Sequence, residues 1–237
     1  MIDASPAVES VGTTPVLYRW PPKAAFGRTV PKTKFYEHGN VRTAVREKFV
    51  NDIQRITWAY KLADDTIHLR GTTAVPEIQI FTVETKGEDV SDEVLTAIDR
   101  SVHFPIIFEV ASNDGLRTVA AQKALDGRVP KIGPYFTTDW QPSDAPRRPL
   151  PTALNLPGLY EAIFTSLLPV TTRVGETVSQ ATERLCRARK LEREIAALNK
   201  KLRIEPQLNR KIELRKQIKE RTAVLTELID LTPNNKE

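Results

Sequence analysis

The stretch from Val174 to Leu231 constrains this chain more than any other. Leu191, Ile195, Leu198 and Leu202 recur at intervals of four, three and four residues, the spacing of a coiled-coil seam. Ile218, Leu225 and Leu228 continue a seam beyond Glu205-Pro206. Pro206 has no amide hydrogen, so it ends one helix or opens the next. Two helices folded back as an antiparallel hairpin are the simplest arrangement, and one bent helix is the alternative. From Glu183 to Arg221 there are 14 Lys/Arg against 6 Asp/Glu, while the whole chain carries only +5. A basic arm on a near-neutral body suits contact with a nucleic-acid backbone or an acidic protein face. The plainer reading is a solvated coiled-coil surface. The residues expected to meet DNA are Arg187, Lys190, Lys200, Lys201, Arg210, Lys211 and Arg215. The same seam could instead join identical chains into a homo-oligomer.

A chain of 237 residues, 40% hydrophobic, supports one domain with an appendage or two small domains. No run has the length of a membrane span and the N-terminus has no apolar signal segment, so a soluble cytoplasmic protein is expected, without a membrane partner. The single cysteine, Cys186, excludes an internal disulfide and reads as a packed thiol near the seam. His38, His68 and His103 are too scattered for a structural zinc site.

Along the chain, residues 1–30 hold Pro6, Pro15, Pro21 and Pro22 and form an irregular lead-in, packed through Leu17, Tyr18 and Trp20. Pro31 to Tyr36 is a basic, aromatic segment that could touch phosphate or be pinned by Phe35 and Tyr36. Asn40 is the expected N-cap of a helix over Val41–Ala63, whose stripe is Val45, Phe49, Ile53, Ile56 and Tyr60. Thr66–Leu69 reads as a short strand. Glu77–Lys86 reads as the clearest one, rich in β-branched and aromatic residues. Ser91 caps a helix with an acidic first turn. Pro105–Val110 is a strand, Asn113-Asp114-Gly115 a hairpin turn of residues that tolerate positive φ, and Leu116–Ala121 the returning strand. Tyr135–Trp140 makes a fourth strand.

Pro130 to Pro157 holds seven of the 17 prolines, which makes it an extended connector. Leu159–Leu168 is a short apolar helix closed by Pro169. The expected fold is α+β. A mixed sheet with flanking helices carries a C-terminal antiparallel helical hairpin. Its divisions are a lead-in over 1–30, a body over 31–140, a Pro-rich connector over 141–157, a docking helix over 158–173 and the basic coiled-coil arm over 174–231.

The sharpest candidate for chemistry is Glu84-Thr85-Lys86. In PD-(D/E)xK nucleases a strand carries Glu-x-Lys after an upstream Asp, and the carboxylates hold Mg²⁺. Period-two geometry places Glu84 and Lys86 on one strand face. Asp64 or Asp65 would supply the upstream carboxylate. Against this, Thr85 stands where an apolar residue is usual, and a solvated cross-strand ion pair explains Glu84 equally well. Neither GxxxxGK[ST] nor GxGxxG occurs, and there is no GxSxG. No cofactor is therefore expected, apart from Mg²⁺ under the nuclease reading. Asp139, Trp140 and His103 could line a cleft.

Several stretches together carry a resemblance. They are Val30–Tyr36, Phe49 with Trp58, Glu77–Phe81, Ala97-Ile98-Asp99 before Pro105–Glu109, Tyr135-Phe136 with Asp139-Trp140, and Gln207–Lys211. In this order and spacing, over about residues 28 to 228, they resemble the bacterial family catalogued as domain of unknown function 4391. The resemblance implies a bacterial or archaeal protein encoded beside a DNA methyltransferase and a DEAD/DEAH-type helicase, as in restriction or phage-defence loci. It carries over no catalytic residues. The leading expectation is therefore a non-catalytic accessory or assembly subunit with methyltransferase or helicase partners, contacting DNA through the arm. A metal-dependent nuclease and a self-associating structural protein are the alternatives.

Overall fold

A computed structural model describes residues 17–37, 41–87, 89–125, 130–169 and 172–229. The expected N-cap Asn40, the prolines Pro6 and Pro15, and Leu231 at the end of the arm lie outside them. The chain divides into two compact units, Met1–Pro169 and Val170–Glu237.

The first unit is built on one six-stranded sheet in chain order: β1 (Ala25–Thr29), β2 (Ile53–Leu62), β3 (Ile78–Thr85), β4 (Ile106–Ser112), β5 (Gly115–Ala124) and β6 (Lys131–Thr137). All neighbours are antiparallel except β3 and β4. A parallel pair needs a crossover, which is the helix α4 (Asp92–Ser101); α1 (Thr33–Glu37) and α2 (Thr43–Asn51) precede β2. Phe35 of α1, Phe49 of α2 and Val94, Leu95 and Ile98 of α4 bury one sheet face with Phe81, Val83, Ile106, Phe108 and Val110. The i, i+1, i+4 spacing of the α4 residues is a helical stripe. On the opposite face α5 (Leu156–Thr165) packs Phe164 edge-on to Phe136, and Tyr160 donates to the Ala121 carbonyl at 2.8 Å. The expected α+β class with a mixed sheet and flanking helices is the observed one.

The helix expected over Val41–Ala63 stops at Asn51, and Ile53–Leu62 is a strand. The misreading has a physical cause. Ile53 faces Thr85 and Ile56 faces Val83, so three residues of β2 span two of β3. A second shift follows between Trp58 and Tyr60. These bulges keep Ile53, Ile56 and Trp58 on one face and move Tyr60 to the other, a spacing that imitates a helical stripe. Thr66–Leu69 is likewise not a strand. Asp64–Ile67 forms one helical turn, α3, in which the Ala63 amide donates to Thr66 Oγ1 at 2.9 Å and His68 ends it at φ +56°.

The hairpin at Asn113-Asp114 is present, but the only positive φ in it belongs to Gly115 (+122°). A Cβ there would lie 1.9 Å from the Gln141 carbonyl oxygen, which accepts from the Leu116 amide at 2.7 Å while the Gln141 amide donates to the Leu116 carbonyl at 2.7 Å. The fourth expected strand begins earlier than Tyr135, at Lys131, and ends at Thr137, with Pro134 inside it. At the other end of the sheet, Gly27 (φ +64°) sits in a register shift of β1. The first part of the Pro130–Pro157 stretch is thus a sheet strand and not a connector, and beyond it Arg148 pairs by backbone with Leu17 and Arg19. Buried Glu109 ties both segments to the sheet. It accepts from Trp20 Nε1 at 2.7 Å and from both Arg147 amino groups at 2.6 and 3.1 Å.

The second unit is the hairpin. Helix α6 (Val178–Ile204) opens on a capping box, with Thr177 and Gln180 bonded reciprocally at 3.3 and 2.9 Å. Pro206 sits in the turn, and α7 (Leu208–Ile229) returns. The helices are antiparallel. Arg184 near the start of α6 donates to Leu228 O near the end of α7 at 2.9 Å, and Arg221 pairs with Glu194 at 3.0 Å midway. Leu191, Ile195, Leu198 and Leu202 are half-buried against a seam that includes Ile218, Leu225 and Leu228.

Candidate nucleic-acid interface

Six of the seven arm residues expected to meet DNA are exposed: Arg187, Lys190, Lys200, Lys201, Arg210 and Arg215. Lys211 is half-buried. At 3.6 residues per turn, Arg187, Lys190 and Lys201 fall on one stripe beside the seam, and Lys200 falls on another. The charge therefore runs around the hairpin instead of forming one face. Arg210 lies 3.9 Å from half-buried Glu205, a loose pair in which the arginine itself stays exposed. Arg184 is tightly held, buried and bonded through two nitrogens to Glu176 at 2.7 and 2.8 Å. Those bonds hold the Glu176 carboxyl below the usual range. Cys186 is half-buried, and burial raises its pKa, which keeps it a thiol.

The nuclease residues do not assemble. Glu84 faces Arg55 across β2 and β3, and their side chains pair at 2.7 Å, with Arg55 exposed and Glu84 half-buried. Asp64 and Asp65 follow Leu62, which faces Ile78 at the opposite end of β3. Six residues of strand separate Ile78 from Glu84, roughly 20 Å, too far for one metal ion to bridge. Lys86 spends its amine on the Val50 carbonyl at 2.7 Å, closing the last turn of α2. Lys32 acts beside it on the Ile53 carbonyl, and burial followed by repulsion from Lys86 lowers its pKa. Among the described residues no cluster of His, Cys, Asp and Glu could hold a metal ion.

Sequence reasoning missed a cleft of about 1240 Å³ between β1, the start of α2 and α4. Its wall is aromatic. Phe26, 38% exposed, lies on Trp58 with centroids 3.9 Å apart, and Trp58 stacks on Phe81 at 6.2 Å and 4°. Trp58 Nε1 is already satisfied by the Tyr60 carbonyl at 3.1 Å. Arg28, Lys34, Arg42 and Arg100 line the cleft and are exposed. The Arg28 guanidinium lies 5.2 Å from the Phe26 centroid. Asp92 and Glu93 also line it, but Glu93 is engaged by Lys48, which holds its carboxyl low. Two hints were visible in the sequence: Lys34 belongs to the basic, aromatic segment after Pro31, and His103 does line a cleft. Trp140 does not. It is half-buried under the Arg117 guanidinium, 5.0 Å from its ring.

Among the described residues no helix is long and apolar enough to cross a membrane. Comparison with curated proteins finds no match, and neither does comparison with solved structures. A family model described as domain of unknown function (DUF4391) matches residues 19–225, most of the chain.

Proposed function

The chain belongs to the DUF4391 family, and from that premise we propose that it is a non-catalytic accessory subunit that grips DNA through its helical arm. Its setting would be a bacterial DNA methyltransferase–helicase system of the restriction or phage-defence kind, in the cytoplasm. The observation that carries the DNA contact is the exposure of Arg187, Lys190, Lys200, Lys201, Arg210 and Arg215 around the α6–α7 hairpin. Cations spread around a rod neutralise phosphates without reading bases. Such binding is steeply salt-dependent and indifferent to sequence.

Two measurements test this. A tagged pull-down from the native host, treated with nuclease, should recover a methyltransferase or helicase at stoichiometric level. Recovery of the chain alone would count against the subunit role. In binding titrations on duplex DNA, Lys200→Glu/Lys201→Glu should weaken affinity and lower the slope of log K against log salt by about 2. An unchanged slope would remove the arm from the contact.

Self-association has one observation behind it. Ile204, Leu208 and Ile212 are exposed around the hairpin turn, an apolar tip on an otherwise charged rod. A molecular mass in solution equal to a multiple of the monomer, lost in Leu208→Glu, is the outcome that reading needs.

A further inference from the structure

We infer that the aromatic, basic cleft of the first unit binds single-stranded nucleic acid, with an unpaired base stacked at Phe26 and Trp58 and phosphates held by Arg28, Arg42 and Arg100. This goes beyond the arm, which takes the backbone of a duplex.

The argument begins with an exposed ring. A phenylalanine on a sheet edge costs solubility unless something covers it, yet Phe26 keeps 38% of its surface in water. Beside the register shift at Gly27 it lies on Trp58, at the margin of the core. Beneath it Trp58 and Phe81 are parallel, so the wall is a rigid aromatic stack. Its polar demand is met internally, because the indole N–H is bonded to Tyr60 O. What the stack offers a ligand is a π surface with no hydrogen-bond code, which suits any base.

The charge around it is positive on balance, four cations against Asp92 and Glu93. Arg28, Lys34, Arg42 and Arg100 come from β1, α1, the approach to α2, and α4, and of the two carboxylates one is held by Lys48. Arginine beside an aromatic ring is the pairing that holds a phosphate next to a stacked base. The volume decides between a mononucleotide and a strand. Sites for small ligands enclose roughly 300–1,000 Å³, and this cleft, at about 1240 Å³, is larger and open to solvent. A duplex hides its base faces, so an unpaired strand is the occupant.

The test uses the full chain with a labelled twelve-nucleotide oligo-dT, the matching oligo-U, a duplex of equal length, and dTMP as competitor. Oligo-dT should quench tryptophan fluorescence, and Trp58→Phe should remove the quenching. Phe26→Ala should weaken oligo-dT binding about tenfold, in line with roughly 1–3 kcal/mol per stacked base, and leave duplex binding unchanged. Arg42→Glu, at an exposed position outside the sheet, gives a second variant should Phe26→Ala perturb folding. Equal affinity for oligo-dT and oligo-U extends the site to RNA, and a preference for one names the natural strand; both support the inference. Unchanged oligo-dT binding in both Phe26→Ala and Arg42→Glu overturns it, as does competition by dTMP at oligonucleotide-like concentrations. Loss of duplex binding only in Lys200→Glu/Lys201→Glu, with oligo-dT intact, separates the arm from the cleft.

Discussion

Lys123 of β5 forms a buried ion pair in the first unit. Its side chain is 0% exposed and that of Asp99 is 1% exposed, and the two charges meet at 2.5 Å. The ammonium also donates to the carbonyls of Asp99, Val102 and Phe104 at 2.7, 2.9 and 2.8 Å. One lysine of β5 thus closes the C-terminal end of α4, whose last carbonyls would otherwise be orphaned. Tyr135 donates to the other Asp99 oxygen at 3.0 Å. Burial pushes Asp99 up and Lys123 down, toward their neutral forms, and the pairing opposes both. Lys123→Met keeps the length and removes every donor. It leaves a buried carboxylate facing an apolar chain, a defect that costs about 3–5 kcal/mol. With a urea slope of about 2 kcal/mol/M, the midpoint should fall by roughly 2 M. Tryptophan fluorescence is the assay, because Trp20, Trp58 and Trp140 all lie in the first unit. Asp99→Asn/Lys123→Met removes the orphaned charge as well and should recover at least half the loss. A single variant that loses less than about 1 kcal/mol, or a double variant whose losses simply add, would refute the reasoning.

Other consequences are as direct. Gly115→Ala drives a Cβ into the Gln141 carbonyl at a φ of +122° and should cost on the order of 2 kcal/mol, read as a lower melting temperature of the first unit. Glu176 has a depressed pKa, so the stability it contributes is full above the ordinary value of 4.5 and is lost as pH falls through its folded-state value. Helical circular dichroism melts should therefore weaken below pH 4.5, and Glu176→Gln should flatten that dependence. Glu84→Gln removes only a partly exposed ion pair with Arg55, so it should cost about 0.2–1 kcal/mol and leave Mg²⁺ titration calorimetry as featureless as in the parent. A Mg²⁺ heat that vanishes in this variant would revive the nuclease reading.

What could be read in advance follows from how local each signal is. The arm was legible because a seam and its helices need only neighbours four residues away, and Pro206 marks the turn. β3 and β4 were legible because each is an unbroken apolar run rich in β-branched and aromatic residues, and α4 because its apolar positions keep a helical period, with Ser91 and Gly115 as punctuation. β2 was not, because its two bulges shift the apolar positions off strict alternation. The separation of Glu84 from Asp64 was hidden for the same reason. A helix leading into β3 leaves the polarity of the pair open, whereas the antiparallel ladder Ile53–Thr85 to Leu62–Ile78 puts the carboxylates at opposite ends. The cleft was least legible, since Phe26, Arg42 and Arg100 come from three elements and share no spacing. The density of Lys and aromatic residues after Pro31, and His103, were the hints to it.

The two ends of the sheet bear on how this protein behaves at high concentration. An open strand edge is a template on which another chain can add its own backbone, the first step toward cross-β aggregates. At β1 the Gly27 irregularity breaks the ladder after a few residues, with Arg28 beside it. At β6 Pro134 has no N–H to offer, and Lys131 adds a charge an incoming strand would have to bury. Both edges thus resist templating. Strand addition is thereby disfavoured at both described edges of the sheet.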